Sequence, residues 1–364
     1  MKTLGEINLK KNPFNETTPS REHQYFWAGT DTVKKRIASC YLDGLESNVK
    51  QLILNWGPYG GGKTFSAYFF LNQYKQDANV TQIYVRSPKD GSRATREIFN
   101  SIIDELTFSG IADRIQLLVD TVGVPELTRY LSLRAGVEYA KAILLIASQE
   151  EKVMTIMNRF LYTSVTATEM KTLGLAKPIK TDNDLIKFLT GLLSCFAYKG
   201  NEVDFKLAIW FDEMEDLIYY STKHYKAFSQ FLRDLYDNIT DNLLIFLNFT
   251  LAEGEDSTIE LILGTALWTR ILKKIRFKDF DHQDALSYAS DLLNEAKINP
   301  AIERPISTDN LRKLLDMLQL GNLTPREINK KMSALVRFAQ INDLLEIDEN
   351  ALNQFIIEQE EDEL

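Results

Sequence analysis

The chain has 364 residues, 45% of them hydrophobic, which is enough apolar side chain for a substantial core and enough length for two or three modules. Its 42 Lys and Arg against 51 Asp and Glu leave a net charge of −9, which argues against uniform nucleic-acid binding and leaves DNA to a local basic stripe. No apolar run, 142–147 included, approaches the roughly 20 residues of a membrane span, and the opening residues are mixed and polar where a signal peptide is apolar. A cytoplasmic protein without membrane contact is therefore expected. Cys40 and Cys195 lack metal-like spacing and read as reduced core thiols, while His23, His224 and His282 are too scattered to form a zinc site.

Residues 51–56 form a short apolar run that meets a glycine cluster, and a helical pattern of bulky residues follows from Phe65, giving strand, loop, helix. The β-branched alternation of 80–87 predicts a second strand, and 92–106 predicts the helix after it. From about 110 to 180, apolar residues recur at three- and four-residue steps with a break near Gly123 and Pro125, which reads as an inserted helical subdomain. A helix over 181–198 has Thr181 or Asp182 as its cap and stops before Gly200. The stretch LAIWFDEMEDL is continuously apolar and then acidic, as expected of a buried parallel strand, Leu207 to Phe211, ending at a functional edge. Residues 242–250 repeat that pattern, and 273–280 predict the last strand.

Strands interleaved with helices imply an α/β fold with a parallel sheet sandwiched by helices. Beyond Asp281 only helical patterns follow, over 284–297, 309–320, 325–340 and 350–360, the last running into an acidic tail. The expected organisation is a sheet domain at 1–280 with its helical insert at about 110–180, a helical lid at 281–345, and a C-terminal helix and acidic tail at 346–364.

Gly57-Pro58-Tyr59-Gly60-Gly61-Gly62-Lys63-Thr64 fits the spacing G-x-x-x-x-G-K-[ST], with Phe65 next in line. Such a loop must turn its backbone N–H groups inward around phosphate oxygens, and side chains would obstruct that approach. The helix that follows presents its positive end to the same anion. Lys63 would reach the β- and γ-phosphates and Thr64 would offer its hydroxyl to Mg2+; the plain alternative is a glycine-rich turn before Lys-Thr. Strand 207–211 delivers Asp212, suited to hold Mg2+ through water, and Glu213, suited to polarise an attacking water. Glu215 and Asp216 read as a solvated helix start.

Asn248, near the end of its strand, carries an amide that can position water beside a γ-phosphate, and Thr250 is the neighbouring alternative. Arg270 precedes the last strand and reads either as a finger reaching a neighbouring subunit's nucleotide or as a surface salt bridge. Arg326 emerges from a helix start in which Thr324 is the cap, Pro325 the first helical residue and Glu327 the capping-box acid. It reads as a lid arginine coupling nucleotide state to lid angle, or as a surface arginine at a helix start.

In this order, from GPYGGGKT through FDE, LNFT and TRILKKIRF to TPREI, the motifs resemble the AAA+ P-loop ATPases, and within them the origin-recognition-like group. The likeness spans about residues 12–340. The leading segment, with Asn12-Pro13-Phe14 and Gly29, is similar to that group's approach to the adenine, although Thr30 stands where the group has Arg. The stretch from Thr172 through Leu217 also resembles ATP-binding proteins of BREX-type phage-defence systems. The resemblance implies ATP and Mg2+ as ligands, and a nucleotide at the interface of a homo-oligomeric ring or filament, often on DNA. It also implies that Lys63, Thr64, Asp212, Glu213, Asn248, Arg270 and Arg326 take the roles reasoned above. Initiators of the group carry a winged-helix DNA reader after the lid, whereas about two dozen residues follow it here, so DNA contact is expected from the ATPase module, the insert or a partner.

The expected function is an oligomeric ATPase that remodels, loads or recruits partner proteins in a DNA-linked process such as anti-phage defence, replication or transposition, with an effector encoded nearby as a candidate partner. The rival is a nucleotide-gated scaffold with slow turnover. A small-molecule kinase explains neither the lid arginine nor the paired acids followed by an Asn-ended strand. The basic runs Lys34-Lys35-Arg36 and Lys273, Lys274, Arg276 are short enough to be surface decoration.

Overall fold

A computed structural model describes residues 1–47, 49–251, 256–317 and 323–362. The end of the helix read over 309–320, and the last two residues of the acidic tail, lie outside the described residues. The elements begin with α1 (Asp31–Glu46), β1 (Gln51–Gly57), α2 (Lys63–Gln73), β2 (Val80–Arg86) and α3 (Ala94–Leu106). Five helices follow: α4 (Phe108–Val122), α5 (Val124–Ala135), α6 (Val137–Ile146), α7 (Glu151–Tyr162) and α8 (Ala167–Thr172). Then come α9 (Asp182–Phe196), β3 (Lys206–Asp212), α10 (Thr222–Asn238), β4 (Leu243–Thr250), α11 (Asp256–Trp268) and β5 (Ile271–Arg276). The chain ends in α12 (His282–Ala296), α13 (Thr308–Met317), α14 (Pro325–Ile341) and α15 (Glu349–Asp362).

The chain falls into two compact units, one of residues 36–56 and 73–275, the other of residues 1–35, 57–72 and 276–364. The first holds the sheet, in the order β2-β3-β4-β1-β5, with β2, β3 and β4 parallel. Strand residues point alternately to the two faces, and both faces are covered, which is why the strands read as unbroken apolar runs. On one face Trp210 stacks on Phe246 with ring centroids 4.0 Å apart, Tyr41 of α1 stacks on Phe246, and the Trp210 indole N–H donates to the Tyr41 hydroxyl. A side chain at Gly44 would collide with Leu244, so glycine lets α1 approach the sheet closely. On the other face Leu52, Ile83, Ile209, Phe211 and Ile245 join a single core with α3, α9 and the helices of 108–172. Those helices therefore share the core of the sheet and do not form one of their own.

Local punctuation follows the sequence at several points. Gly123 and Gly136, at φ 82 and 85, separate α4, α5 and α6, with Pro125 in the first turn of α5. Thr181 is the cap of α9, completing a reciprocal box with Asp184. The last strand, expected over 273–280, runs from Ile271 to Arg276, beginning two residues earlier and ending four earlier, and Phe280 beyond it forms an isolated bridge with Leu323. Glu215 and Asp216 do lie at a helix start, in the first turn of a 3-10 helix, but Glu215 is partly buried and bonded. That helix is Met214–Tyr219, and the Glu215 carboxylate accepts a hydrogen bond from Thr250 N at 2.9 Å.

The second unit has its own core, in which α12, α13, α14 and α15 surround Ile7, Leu9 and Phe14. The N-terminal segment, expected with the sheet domain, is tied here by hydrogen bonds from Asn8 Nδ2 to Asn299 O and from Asn329 Nδ2 to Glu16 O. These partners lie about 300 positions along the chain, where no sequence period reveals them. Among the described residues no helix is long and apolar enough to cross a membrane, and no cluster of His, Cys, Asp and Glu is arranged to hold a metal ion.

Candidate functional site

Sequence-marked residues fall in both units. In the helical unit, the loop Gly57–Gly62 leads into α2, and three of its glycines have positive φ: Gly57 at 155, Gly60 at 78 and Gly62 at 97. A Cβ on Gly57 would stand 2.1 Å from the carbonyl oxygen of Phe277, and one on Gly60 would press on Arg326 and the Thr324 hydroxyl at 3.0 and 3.1 Å. A Cβ on Gly62 would meet nothing within 4 Å among the described residues, so the side-chain position of its left-handed backbone faces open space, as a cradle for a bulky anion requires. Gly61 N closes a turn by donating to Pro58 O at 3.2 Å. Lys63 is buried, and its ammonium donates to the carbonyls of Gly57 and Pro58 at 2.9 and 2.7 Å, which holds the charge over the loop. Thr64 lies in the first turn of α2, where Ser66 N and Oγ both donate to Gly62 O.

Phe65 belongs to an aromatic cluster with Tyr25 and Trp27, at centroid distances of 5.1 and 5.3 Å. The Trp27 indole donates to Gly29 O, and Gly29 N donates to Asp291. Thr30, which stands in place of the group's Arg, accepts from Val33 N at the start of α1. Arg326 lies in the first turn of α14, its Nε donating to Thr17 O and its guanidinium 4.1 Å from the ring centroid of Tyr59. Thr324 is the cap, accepting from Glu327 N, but the capping box is not closed: Glu327 takes the Lys330 ammonium instead.

In the sheet unit, Asp212 is the last residue of β3 and is buried. Its Oδ2 accepts from the Tyr84 hydroxyl at 2.7 Å and its Oδ1 from Asn248 Nδ2 at 3.1 Å; Asn248 Oδ1 in turn accepts from Asn55 Nδ2 at 2.9 Å. Tyr84, Asp212, Asn248 and Asn55 come from β2, β3, β4 and β1, in the order of the sheet, so one chain of side-chain hydrogen bonds crosses four neighbouring strands. The link leaves one amide N–H of Asn248 for a further acceptor. Asn55 Oδ1 is buried with no hydrogen-bond partner among the described residues, two residues before the glycine loop begins. Glu213 follows at φ 59 and ψ 33 and is exposed enough to meet solvent, with Arg86 Nε 3.9 Å from its carboxylate. Burial pushes its carboxyl pKa up, and Arg86 acts against that rise.

Arg270 is held within the chain, as a fork onto Asp237 with distances of 2.7 and 2.8 Å and a further bond to Ala266 O. It forms the salt bridge that was one of its two readings, and a reach toward a neighbouring subunit would require that pair to open. Cys40 and Cys195 are free and buried, with burial pushing their thiols up to about 11 and about 12. Sequence reasoning missed Asn55, Tyr84 and Arg86. A polar residue inside LILNWG was a signal for Asn55, whereas Tyr84 becomes visible only once the parallel register Tyr84–Trp210 is known.

No protein-family model and no curated protein matches the chain. Solved structures do. The Aeropyrum pernix ORC2 protein, in ADPNP–ADP complexes, is similar over 96% of this chain and 72% of its own, with a TM-score of 0.56 at 12% identity. The Aeropyrum pernix ORC1 protein in complex with DNA is similar over 100% of this chain and 72% of its own, with a TM-score of 0.51 at 12% identity. The fold is that of the AAA+ P-loop ATPases. Drosophila ORC bound to DNA shares it, over 97% of this chain and 66% of that one, with a TM-score of 0.51 at 9% identity. At these identities the likeness speaks for architecture, and the roles of individual residues rest on their chemistry.

Proposed function

We propose that the protein binds ATP with Mg2+ and hydrolyses it. The observation that carries this reading is the loop Gly57–Thr64: positive-φ glycines, open space at Gly62, and the Lys63 ammonium over the loop at the start of a helix. Gly57, Pro58, Tyr59, Gly60, Gly61, Gly62, Lys63, Thr64 and Phe65 would hold the nucleotide, with the Tyr25, Trp27 and Phe65 rings offering an apolar surface to the base. Thr64, and Asp212 through water, would hold Mg2+, whose charge would offset that of the phosphates. The Asp212 carboxylate suits that outer role, because both its oxygens are already oriented by neutral donors. Glu213 would take the proton of the attacking water, and the remaining N–H of Asn248 would orient it. Arg326, resting on Tyr59 of the loop itself, would pass nucleotide state to α14.

The wider reading is an ATP-driven oligomer that remodels, loads or recruits partners in a DNA-linked process. Two structural neighbours that are bound to DNA support the DNA setting. The anti-phage setting is supported by sequence resemblance alone, as are a ring or filament and an effector encoded nearby. The alternative is a nucleotide-gated scaffold with slow turnover, which the Arg270–Asp237 pair favours in that it occupies the arginine that hydrolysis in trans would use. Steady-state phosphate release by wild type beside Glu213→Gln separates the two. Loss of a general base lowers turnover by about 10²–10⁴-fold; a wild type no faster than the variant would leave the scaffold reading.

A further inference from the structure

Away from the candidate nucleotide residues, Arg96 and Asn100 of α3 and the segment from Phe160 to Lys180 line a cavity of about 910 Å3. That volume lies in the range of small-molecule sites. Its lining is one-sided in charge: in a chain of net charge −9 it includes Arg96, Lys171 and Lys180 and no carboxylate. Neighbouring cations outside the lining, Arg159 and Lys177, are paired with Glu169 and Asp184. The three cations of the lining form no ion pair among the described residues. Arg96 is half-buried against Phe99, and burial disfavours its charge more than the charge of Asp182 restores it, so a counter-anion would offset the remaining desolvation. Asn100 Oδ1 is buried without a hydrogen-bond partner among the described residues, and the amide can turn either its acceptor or its donors to a ligand. Phe160 and Leu175, both buried, supply an apolar floor.

We propose that this cavity binds a small organic anion with an apolar body, its charge taken by Arg96 together with Lys171 and Lys180, its body by Phe160 and Leu175, and its polar edge by Asn100. The site is separate from the nucleotide reading and does not depend on it.

The test is fluorescence titration of the full chain with anilinonaphthalene sulfonate, an apolar ring system bearing one anionic group, beside neutral N-phenylnaphthylamine. The sulfonate is expected to saturate a single site, with affinity falling about tenfold in Arg96→Gln, the size of one charge-assisted hydrogen bond. The neutral probe is expected to bind more weakly and to be indifferent to the substitution, and saturating ATP with Mg2+ is expected to displace neither. Lys171→Gln with Lys180→Gln, at two exposed positions, carries the same test without touching the packing of α3. Equal uptake of the two probes, unchanged sulfonate affinity in both variants, or displacement by ATP would overturn the proposal.

Discussion

Arg270 shows how one side chain can satisfy a motif and still be committed elsewhere. Its fork onto Asp237 uses the planar guanidinium geometry that makes Arg effective against carboxylates and phosphates alike. If the pair is structural, Arg270→Ala and Asp237→Ala produce the same small loss of stability, about 0.2–1 kcal/mol for a partly exposed pair, and the same turnover. If Arg270 serves a nucleotide in trans, Arg270→Ala alone removes hydrolysis while ATP affinity is kept. We expect the first outcome, to be read from denaturant melts and phosphate release on both variants. Other residues were legible because chemistry sits at fixed spacing along the chain: Lys63 and Thr64 follow their glycines, and Glu213 follows Asp212. Tyr84 and Asn55 were not, because their partners lie 128 and 193 positions away and only strand register brings them together.

At the scale of elements, the glycine loop makes a graded prediction. Alanine at Gly57 meets Phe277 O at 2.1 Å as well as a forbidden backbone, whereas alanine at Gly62 meets only the backbone cost, since the space is open. Gly57→Ala should therefore lower the melting temperature clearly, and Gly62→Ala should cost roughly 1–2 kcal/mol at most while weakening nucleotide uptake, because its methyl group occupies the cradle. Equal destabilisation by the two would contradict the geometry. The start of α9 makes a second prediction. Burial works against the charge of Asp184, but hydrogen bonds from Lys177 and Thr181 outweigh it and hold the carboxyl well below the usual carboxylate range. A carboxyl held down adds stability above its unfolded pKa of about 3.9 and loses it as pH falls toward the folded value. Asp184→Asn should thus melt below wild type at neutral pH, with the difference shrinking below about pH 4; a constant difference would refute the assignment. That helix start was readable as Thr-x-x-Asp, whereas Glu327, in the same kind of pattern at α14, turned to Lys330 because a cation one helical turn away competes for it.

For the whole molecule, interleaved strands and helices gave the fold class, and the order of the strand ends gave the family likeness. The division into units was hidden, because Ile7, Leu9 and Phe14 carry no period that assigns them to helices near the other end of the chain. The proposed ATPase function depends on one ligand being taken up by residues that the sequence spreads from Gly57 to Arg326. Isothermal titration of the chain with ATP and Mg2+, beside Lys63→Ala, tests that most directly. The account predicts saturable uptake of one ATP per chain by wild type, and an affinity at least about tenfold weaker in the variant, the loss expected for a charged contact to phosphate. No uptake by wild type, or equal uptake by both proteins, would contradict it.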